Sequence, residues 1–310
     1  MRVAFVGLGT MGRPMALNLI AKGHDLAVYD INKRSTERFD KHRCRIAASP
    51  SDAARDAEVV ITMLPSSREV REAVLGPSGA VSAMRAGVLF IDMSTGSASE
   101  SALLAGELAD RGIRMLDAPV GRTPHDAERR TLMIIVGGRE DDVAFARPLF
   151  EAMGDTIHHM GPSGCGIRTK LVNNYMSMVN MLLVAEALTL AAKCGLDRSR
   201  VVQVLSGTTA GRGQLSVNYP KKVLAGDITP DFPLRMGLKD IGLALDLGAE
   251  VGAPLSLGST AREYFALAKS WGREEQDCTA MLLLLEDIAR VATTSQPHET
   301  NLSQQRAPEI

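Results

Sequence analysis

The stretch from Val3 to Gly12, VAFVGLGTMG, constrains the fold more than any other part of the chain. A short apolar run ends in the glycine pattern Gly7-x-Gly9-x-x-Gly12, and an amphipathic segment, Pro14–Lys22, follows at once. The order is strand, tight turn, helix. Gly7 suits the turn, Gly9 lets a pyrophosphate approach the backbone, and Gly12 permits close helix–strand packing. The backbone around Thr10 and Met11 then offers helix N-terminal N–H groups to the phosphates. Asp30 ends the next apolar run, 18 residues beyond Gly12, where a carboxylate accepts hydrogen bonds from ribose hydroxyls. The spacing predicts a dinucleotide-binding crossover. A carboxylate at position 30 favours NAD (as NADH for reduction) over NADP, because a 2′-phosphate would meet a like charge. Lys33 and Arg34 leave accommodation of that phosphate open, but read more simply as a solvated first turn.

Strand-like and helix-like patterns alternate through the first half. Val3–Val6, Leu26–Tyr29, Val59–Leu64, Val88–Met93, Arg114–Asp117 and Leu132–Val136 read as strands, and His158 and His159 fall on a last one. Pro14–Lys22, Ser35–Lys41, Glu69–Val74 and Glu100–Arg111 read as helices between them. Strands this apolar are buried on both faces, which predicts an α/β, doubly wound parallel sheet. Leu64, Pro65 and Thr95 end later strands, at the edge where such sheets meet their ligands. They join the candidate cofactor residues.

Beyond Met160 the pattern changes. A breaker cluster, Gly161-Pro162-Ser163-Gly164, precedes a long helical pattern reaching Cys194, whose apolar length with Asn180 and Glu186 inside it suggests a buried helix and not a membrane span. Helices are also expected at Arg198–Leu205, Leu215–Leu224, Leu238–Val251, Leu257–Trp271 and Cys278–Thr293. The expected organisation is a nucleotide-binding domain over 1–162, an all-helical domain over 163–293, and a polar, disordered tail over 294–310.

Composition narrows the partners. A formal net charge of -1 and 4% aromatic residues provide neither the field nor the stacking surface for nucleic acid. The four cysteines are far apart and form no CxxC pair, so no metal site is expected and reduced thiols in a cytoplasm are the default. The first strand begins at Arg2, so no leader segment is expected.

Reducing a carbonyl by hydride leaves an alkoxide that needs a proton, which a placed Lys, His or Tyr can donate. The long helix carries Lys170, Asn173, Asn174 and Ser177 near its start. Lys170 and Asn174 share a face, and Asn173 and Ser177 form the adjacent stripe. A bound polar substrate would partner them. Exposure or capping explains the spacing equally well.

Several ordered segments resemble the β-hydroxyacid dehydrogenase (3-hydroxyisobutyrate dehydrogenase-like) family: GLGTMGRPMALNL from Gly7, DAPV from Asp117, GCGIRTKLVNN from Gly164, and Lys239-Asp240. The resemblance implies a Rossmann domain, a long interdomain helix, a helical second domain and a homodimer or homotetramer. It implies that Lys170 is the general acid–base, Asn174 its hydrogen-bonding companion, and Lys239 a neighbour of the nicotinamide and substrate.

The chain departs from the family pattern after DAPV, where Gly121-Arg122-Thr123 replaces Ser-Gly-Gly. A guanidinium there suits an anion larger than a carboxylate. With NNYMS from Asn173 and SGTTAGRG from Ser206, the loop resembles the branch of the family that reduces a sulfonated aldehyde. By that resemblance Arg122, Thr123, Asn173 and Ser177 hold the substrate. A carboxylate substrate, such as 3-hydroxyisobutyrate or 4-hydroxybutyrate/succinic semialdehyde, is the alternative. A non-catalytic NAD-binding regulator is the reading from another class. His125 reads as an exposed loop residue, Cys165 as a small one, and Arg212 as reaching either an anion or a partner subunit.

Overall fold

The computed structural model describes residues 1–37, 39 and 44–291. It divides into two compact units, Met1–Met178 and a second beginning at Val179.

The first unit opens with β1 (Arg2–Val6), α1 (Gly12–Ala21), β2 (Asp25–Tyr29), β3 (Cys44–Ile46), α2 (Pro50–Ala54), β4 (Val59–Thr62) and α3 (Ser67–Leu75). It continues through β5 (Leu89–Asp92), α4 (Ala98–Ala109), β6 (Arg114–Asp117), β7 (Val120–Gly121), α5 (Pro124–Glu128), β8 (Leu132–Val136), α6 (Glu140–Met153) and β9 (Gly154–His159). Six parallel strands form the main sheet in the order β3-β2-β1-β4-β5-β6, and β7-β8-β9 form a smaller sheet. This is the doubly wound sheet that the alternating pattern predicts.

The two faces of the sheet follow from the period-two geometry of a strand. Val3, Phe5, Val59, Ile61, Leu89 and Ile91 enter one core with Met15, Leu19 and Phe150. Ala4, Val60 and Phe90, the intervening residues, enter the other with Val70, Leu104 and Leu108. Helices cover both faces, so every ligand-accessible loop lies at a sheet end. The helices start where capping chemistry permits: the Ser66 hydroxyl accepts from Arg68 N–H and Ser97 from Glu100 N–H.

A 29-residue helix, α7 (Cys165–Lys193), contains the division between the units. The second unit continues with α8 (Arg198–Gly207), α9 (Thr209–Arg212), α10 (Gln214–Val217), α11 (Leu234–Val251), α12 (Ser256–Ser270) and α13 (Met281–Ala289). Its small core joins Leu234, Ala268 and Leu284. Buried Asp277 ties the loop before α11 to the turn before α13, accepting from the N–H groups of Asp231, Phe232 and Thr279. The unit is helical, as the sequence pattern implies, with one isolated bridge between Pro233 and Asp277 among the described residues.

Three expectations need correction. The single helix expected over Leu215–Leu224 is broken into α10 and two 3₁₀ turns, Tyr219–Lys221 and Val223–Ala225. Pro220 brings no N–H to continue the α-helical ladder, and Gly226 closes the stretch at φ +75°. The long helix is not buried in this chain: Val172, Tyr175 and Met181 are 69%, 73% and 63% exposed. Its apolar residues lie all round the helix, so packing on one side covers only some of them. Near Ser35–Lys41 the described part is a 3₁₀ turn at Lys33–Thr36, and the rest of that expected helix lies largely outside the described residues. The last residues of Cys278–Thr293 and the tail 294–310 also lie outside them; α13 stops at Ala289, followed by Arg290 at φ +53°.

Phe90 has no solvent exposure. Truncating a buried phenylalanine costs about 3–5 kcal/mol. Phe90→Ala should therefore lower unfolding stability by that amount, read from urea denaturation followed by circular dichroism.

Candidate active site

The glycine loop turns where the strands β2 and β4 flank β1. Gly7 sits at φ +100°, and a Cβ there would stand 2.3 Å from the Met63 carbonyl oxygen. A Cβ on Gly12 would come to 1.9 Å of the Gly7 carbonyl oxygen. Helix α1 can begin this close to β1 only without those two side chains. Gly9 is different: nothing lies within 4 Å of its would-be Cβ, so that side of the loop is open. No side chain caps α1 and no acid occupies its first turn, which leaves its N-terminus to an anion.

Asp30 closes the same corner. One carboxylate oxygen accepts from Leu8 N–H at 2.7 Å, and the other from Asn32 N–H at 2.7 Å. The side chain is thus fixed by backbone, with lone pairs left for ribose hydroxyls. Gly7, Gly9, Thr10, Met11, Gly12, Asp30, Leu64 and Pro65 all line one cavity of about 560 Å³, together with Ile31, Pro50 and Glu72. The helix N-terminus, the Asp30 carboxylate and apolar residues such as Ile31, Met63 and Leu64 share this one lining, so the residues present fit a dinucleotide. Leu64 is held by its N–H to the buried Ser94 hydroxyl, at 2.9 Å. Thr95 stands beside Ser94 at the end of β5 and is not among the residues of this cavity wall.

A second, smaller cavity of about 200 Å³ lies along the ends of β5 and β6, lined by Asp92, Ser94, Asp117 and Ile167 among others. Asp92 and Asp117 are direct neighbours in the strand register. Burial pushes both carboxyls up; hydrogen bonds from Ser94 and Thr62 oppose this at Asp92, and bonds from the start of α7 oppose it at Asp117. Neither acid was singled out as a site residue by sequence, although both end buried strands, and that placement was the available signal.

Helix α7 carries Lys170, Asn173, Asn174 and Ser177 within the first unit. Lys170 is partly buried, and loss of solvent holds its ammonium below the ordinary lysine range. Asn173 donates from its side-chain amide to the Asn174 amide oxygen at 3.2 Å. Asn173 and Ser177 are exposed and Asn174 is half-buried.

The Gly121–Thr123 loop is already hydrogen-bonded. Arg122 has φ +74°. Its guanidinium donates to the Asp155 carboxylate at 2.6 Å, the Thr156 hydroxyl at 3.1 Å and the Thr131 carbonyl. Thr123 caps α5, with its hydroxyl 2.5 Å from the Asp126 carboxylate. Asp155 is a partner that no sequence motif indicated. In the second unit, Lys239 on α11 lies 3.0 Å from Asp240, and Arg212 ends α9 exposed. His125 is exposed, and His159 is bonded through Nε2 to the Gly138 and Gly161 carbonyls at 2.9 and 3.1 Å.

The fold and cavity define a nicotinamide-dinucleotide-dependent oxidoreductase. Residues 2–161 match the NAD binding domain of 6-phosphogluconate dehydrogenase, and residues 164–285 match the NAD-binding family of NADP-dependent 3-hydroxyisobutyrate dehydrogenase. The chain is 40% identical to the 3-sulfolactaldehyde reductase of Escherichia coli K12 over 280 residues, 90% of this chain and 94% of that one. It is 32% identical to the 2-(hydroxymethyl)glutarate dehydrogenase of Eubacterium barkeri over 294 residues, 94% and 97% of the two chains. Among solved structures it is similar to the 3-hydroxyisobutyrate dehydrogenase of Mycobacterium tuberculosis with L-serine, at TM-score 0.65 and 33% identity, covering 92% of this chain and 98% of that one. The chain belongs to the β-hydroxyacid dehydrogenase family, and it is an NAD(P)-dependent oxidoreductase of that family, acting on CH–OH groups.

The two glycines separate binding from packing. Gly12→Ala should weaken both thermal stability and dinucleotide binding, since overpacking a rigid contact costs about 1–3 kcal/mol. Gly9→Ala should melt like the parent yet lose dinucleotide affinity by about tenfold or more, because its methyl enters the phosphate's space. Fluorescence titration with NADH and a thermal melt check both; equal binding by the parent and Gly9→Ala would contradict the assignment.

Proposed function

We propose that this enzyme reduces 3-sulfolactaldehyde to 2,3-dihydroxypropane-1-sulfonate with NADH, a step in sulfoquinovose breakdown. The observation that carries the reading is Arg122. An arginine occupies the left-handed backbone at φ +74°, where the family pattern has glycine. That conformation costs an ordinary residue about 1–2 kcal/mol, and such residues cluster where function requires them. Three of its five N–H groups are engaged by Asp155, Thr131 and Thr156 among the described residues. Two remain for an oxyanion. The 40% identity to a 3-sulfolactaldehyde reductase supports the same substrate.

When bound, the reduced dinucleotide supplies a hydride to the aldehyde carbon. Lys170 donates the proton that the resulting alkoxide requires, and Asn174 orients Lys170 or the substrate oxygen. Arg122, Asn173 and Ser177 supply N–H and O–H donors to the sulfonate, with Thr123 beside them. Holding the far end of the substrate fixes the carbonyl against the hydride source. Asp30 selects NADH, since a 2′-phosphate would meet its carboxylate. Apolar residues are exposed along α7, Val172 and Met181 among them; we assign them to contacts in a homodimer or homotetramer residing in the cytoplasm.

A carboxylate substrate is the second reading, supported by the 32% identity to the 2-(hydroxymethyl)glutarate dehydrogenase of Eubacterium barkeri. Steady-state rates on matched sulfonate and carboxylate aldehydes decide between the two. The sulfonate should be preferred. Arg122→Ala should raise its KM about tenfold or more, the worth of hydrogen bonds to a charged group. Preference for the carboxylate, with KM unchanged in Arg122→Ala, would overturn the sulfonate reading.

The proton donor has its own signature in pH. Reduction uses the protonated ammonium, so the rate falls as pH rises through the Lys170 pKa. Burial holds that pKa below the usual lysine value of about 10.4, so the basic limb should fall below that pH. Lys170→Ala should lose the limb and most of kcat while still binding NADH. Cofactor binding with no turnover in the parent protein would instead identify a regulator.

A further inference from the structure

We propose that Asp117 is a positioning residue for this reaction, fixing through its carboxylate the place of the helix turn that carries Lys170. The inference rests on the reading of Lys170 as proton donor.

Asp117 is the last residue of β6 and only 2% exposed. One of its carboxylate oxygens accepts from Gly164 N–H at 2.6 Å, just ahead of α7, and the other from Ile167 N–H at 2.8 Å, inside the first turn. First-turn N–H groups have no acceptor within their own helix. Most caps supply one from the adjoining loop. Here it comes from a sheet strand 47 residues earlier in the chain. Two bonds from one planar group, to amides three residues apart, fix the helix along its axis and about it.

The backbone is equally constrained. Asp117 and Gly137 exchange N–H···O bonds of 3.1 and 2.8 Å. A Cβ on Gly166 would stand 2.5 Å from the Asp117 carbonyl oxygen and 2.8 Å from Gly137 N. Strand end and helix start therefore meet backbone to backbone, with no side chain to absorb a shift. Lys170 lies three residues beyond Ile167, about 4.5 Å further along the axis. A displacement of the first turn reaches it undiminished. A misplacement of ~1 Å in a catalytic array costs ~100-fold in rate.

Asp117→Asn tests the proposal. It keeps the shape and one acceptor but points an NH₂ at the other amide. The expected result is an unchanged NADH affinity, a KM for the aldehyde within about twofold of the parent, and a kcat reduced ~10- to 100-fold. The acylation rate of Lys170, measured against the other lysines by mass spectrometry, should change in the same sample without cofactor. A folded Asp117→Asn with parental kcat overturns the proposal, whatever its labelling shows. Should that variant fail to fold, residue-resolved hydrogen exchange on the parent decides: slow exchange at Gly164 and Ile167 is expected, and exchange as fast as at uncapped first-turn amides overturns it. Lys170→Ala separates the two readings. Full turnover in that variant means Lys170 is not the acid; an inactive Lys170→Ala beside a fully active Asp117→Asn means Asp117 does not position it.

Discussion

The parallel pairing of β1 with β2 on one side and β4 on the other is the constraint on which the cofactor cavity depends. In parallel pairs the carboxyl ends of neighbouring strands lie at the same edge. The loops leaving β1, β2 and β4 must therefore emerge together. That edge receives Gly7–Gly12 from the first strand, Asp30 from the second and Leu64-Pro65 from the fourth. The chain reverses its winding direction at β1, opening a crevice instead of crossing over it. Glycine completes the arrangement because two backbone segments must approach to distances that no Cβ allows. Register, topology and ligand cavity are one feature viewed at three scales.

Much of this was legible in the sequence, for identifiable reasons. Strands such as Val59–Thr62 are apolar on both faces, a pattern that few alternatives produce, and the glycine spacing admits one turn geometry. The short strands were not legible. Cys44–Ile46 and Val120–Gly121 span three and two residues, too few for a period to register, and they form only because a longer neighbour offers its edge. The exposure of α7 was also misread. Apolar composition reports that a helix avoids water, but not which partner covers it. The break near Pro220 was legible in principle, since proline forbids helical continuation, yet the apolar spacing from Leu215 to Leu224 obscured it.

The site followed the same division. Residues placed by backbone rules, Gly7, Gly9, Thr10, Met11, Gly12 and Asp30, line one cavity. Residues whose role depends on where a side chain reaches were harder to read. Arg122 shows why: its position in the loop was clear, but its guanidinium turns to Asp155, an acid 33 residues away that belongs to no motif. A long charged side chain chooses among several partners by small differences in free energy, and sequence carries little of that information. The same holds for Asp117, whose segment was recognisable but whose carboxylate caps a helix that begins 48 residues later in the chain.

Asp30 carries two duties that cannot be varied independently. The carboxylate that we assign to the ribose also restrains Leu8, in the middle of the glycine loop, through its N–H. Replacing it by a small neutral residue to admit a phosphorylated ribose removes the like charge and, in the same stroke, releases the loop. Coenzyme redesign here is thus a two-position problem. A new acceptor for the Leu8 amide has to be introduced along with the new phosphate donor, or the altered enzyme will hold either coenzyme in a loosened cradle.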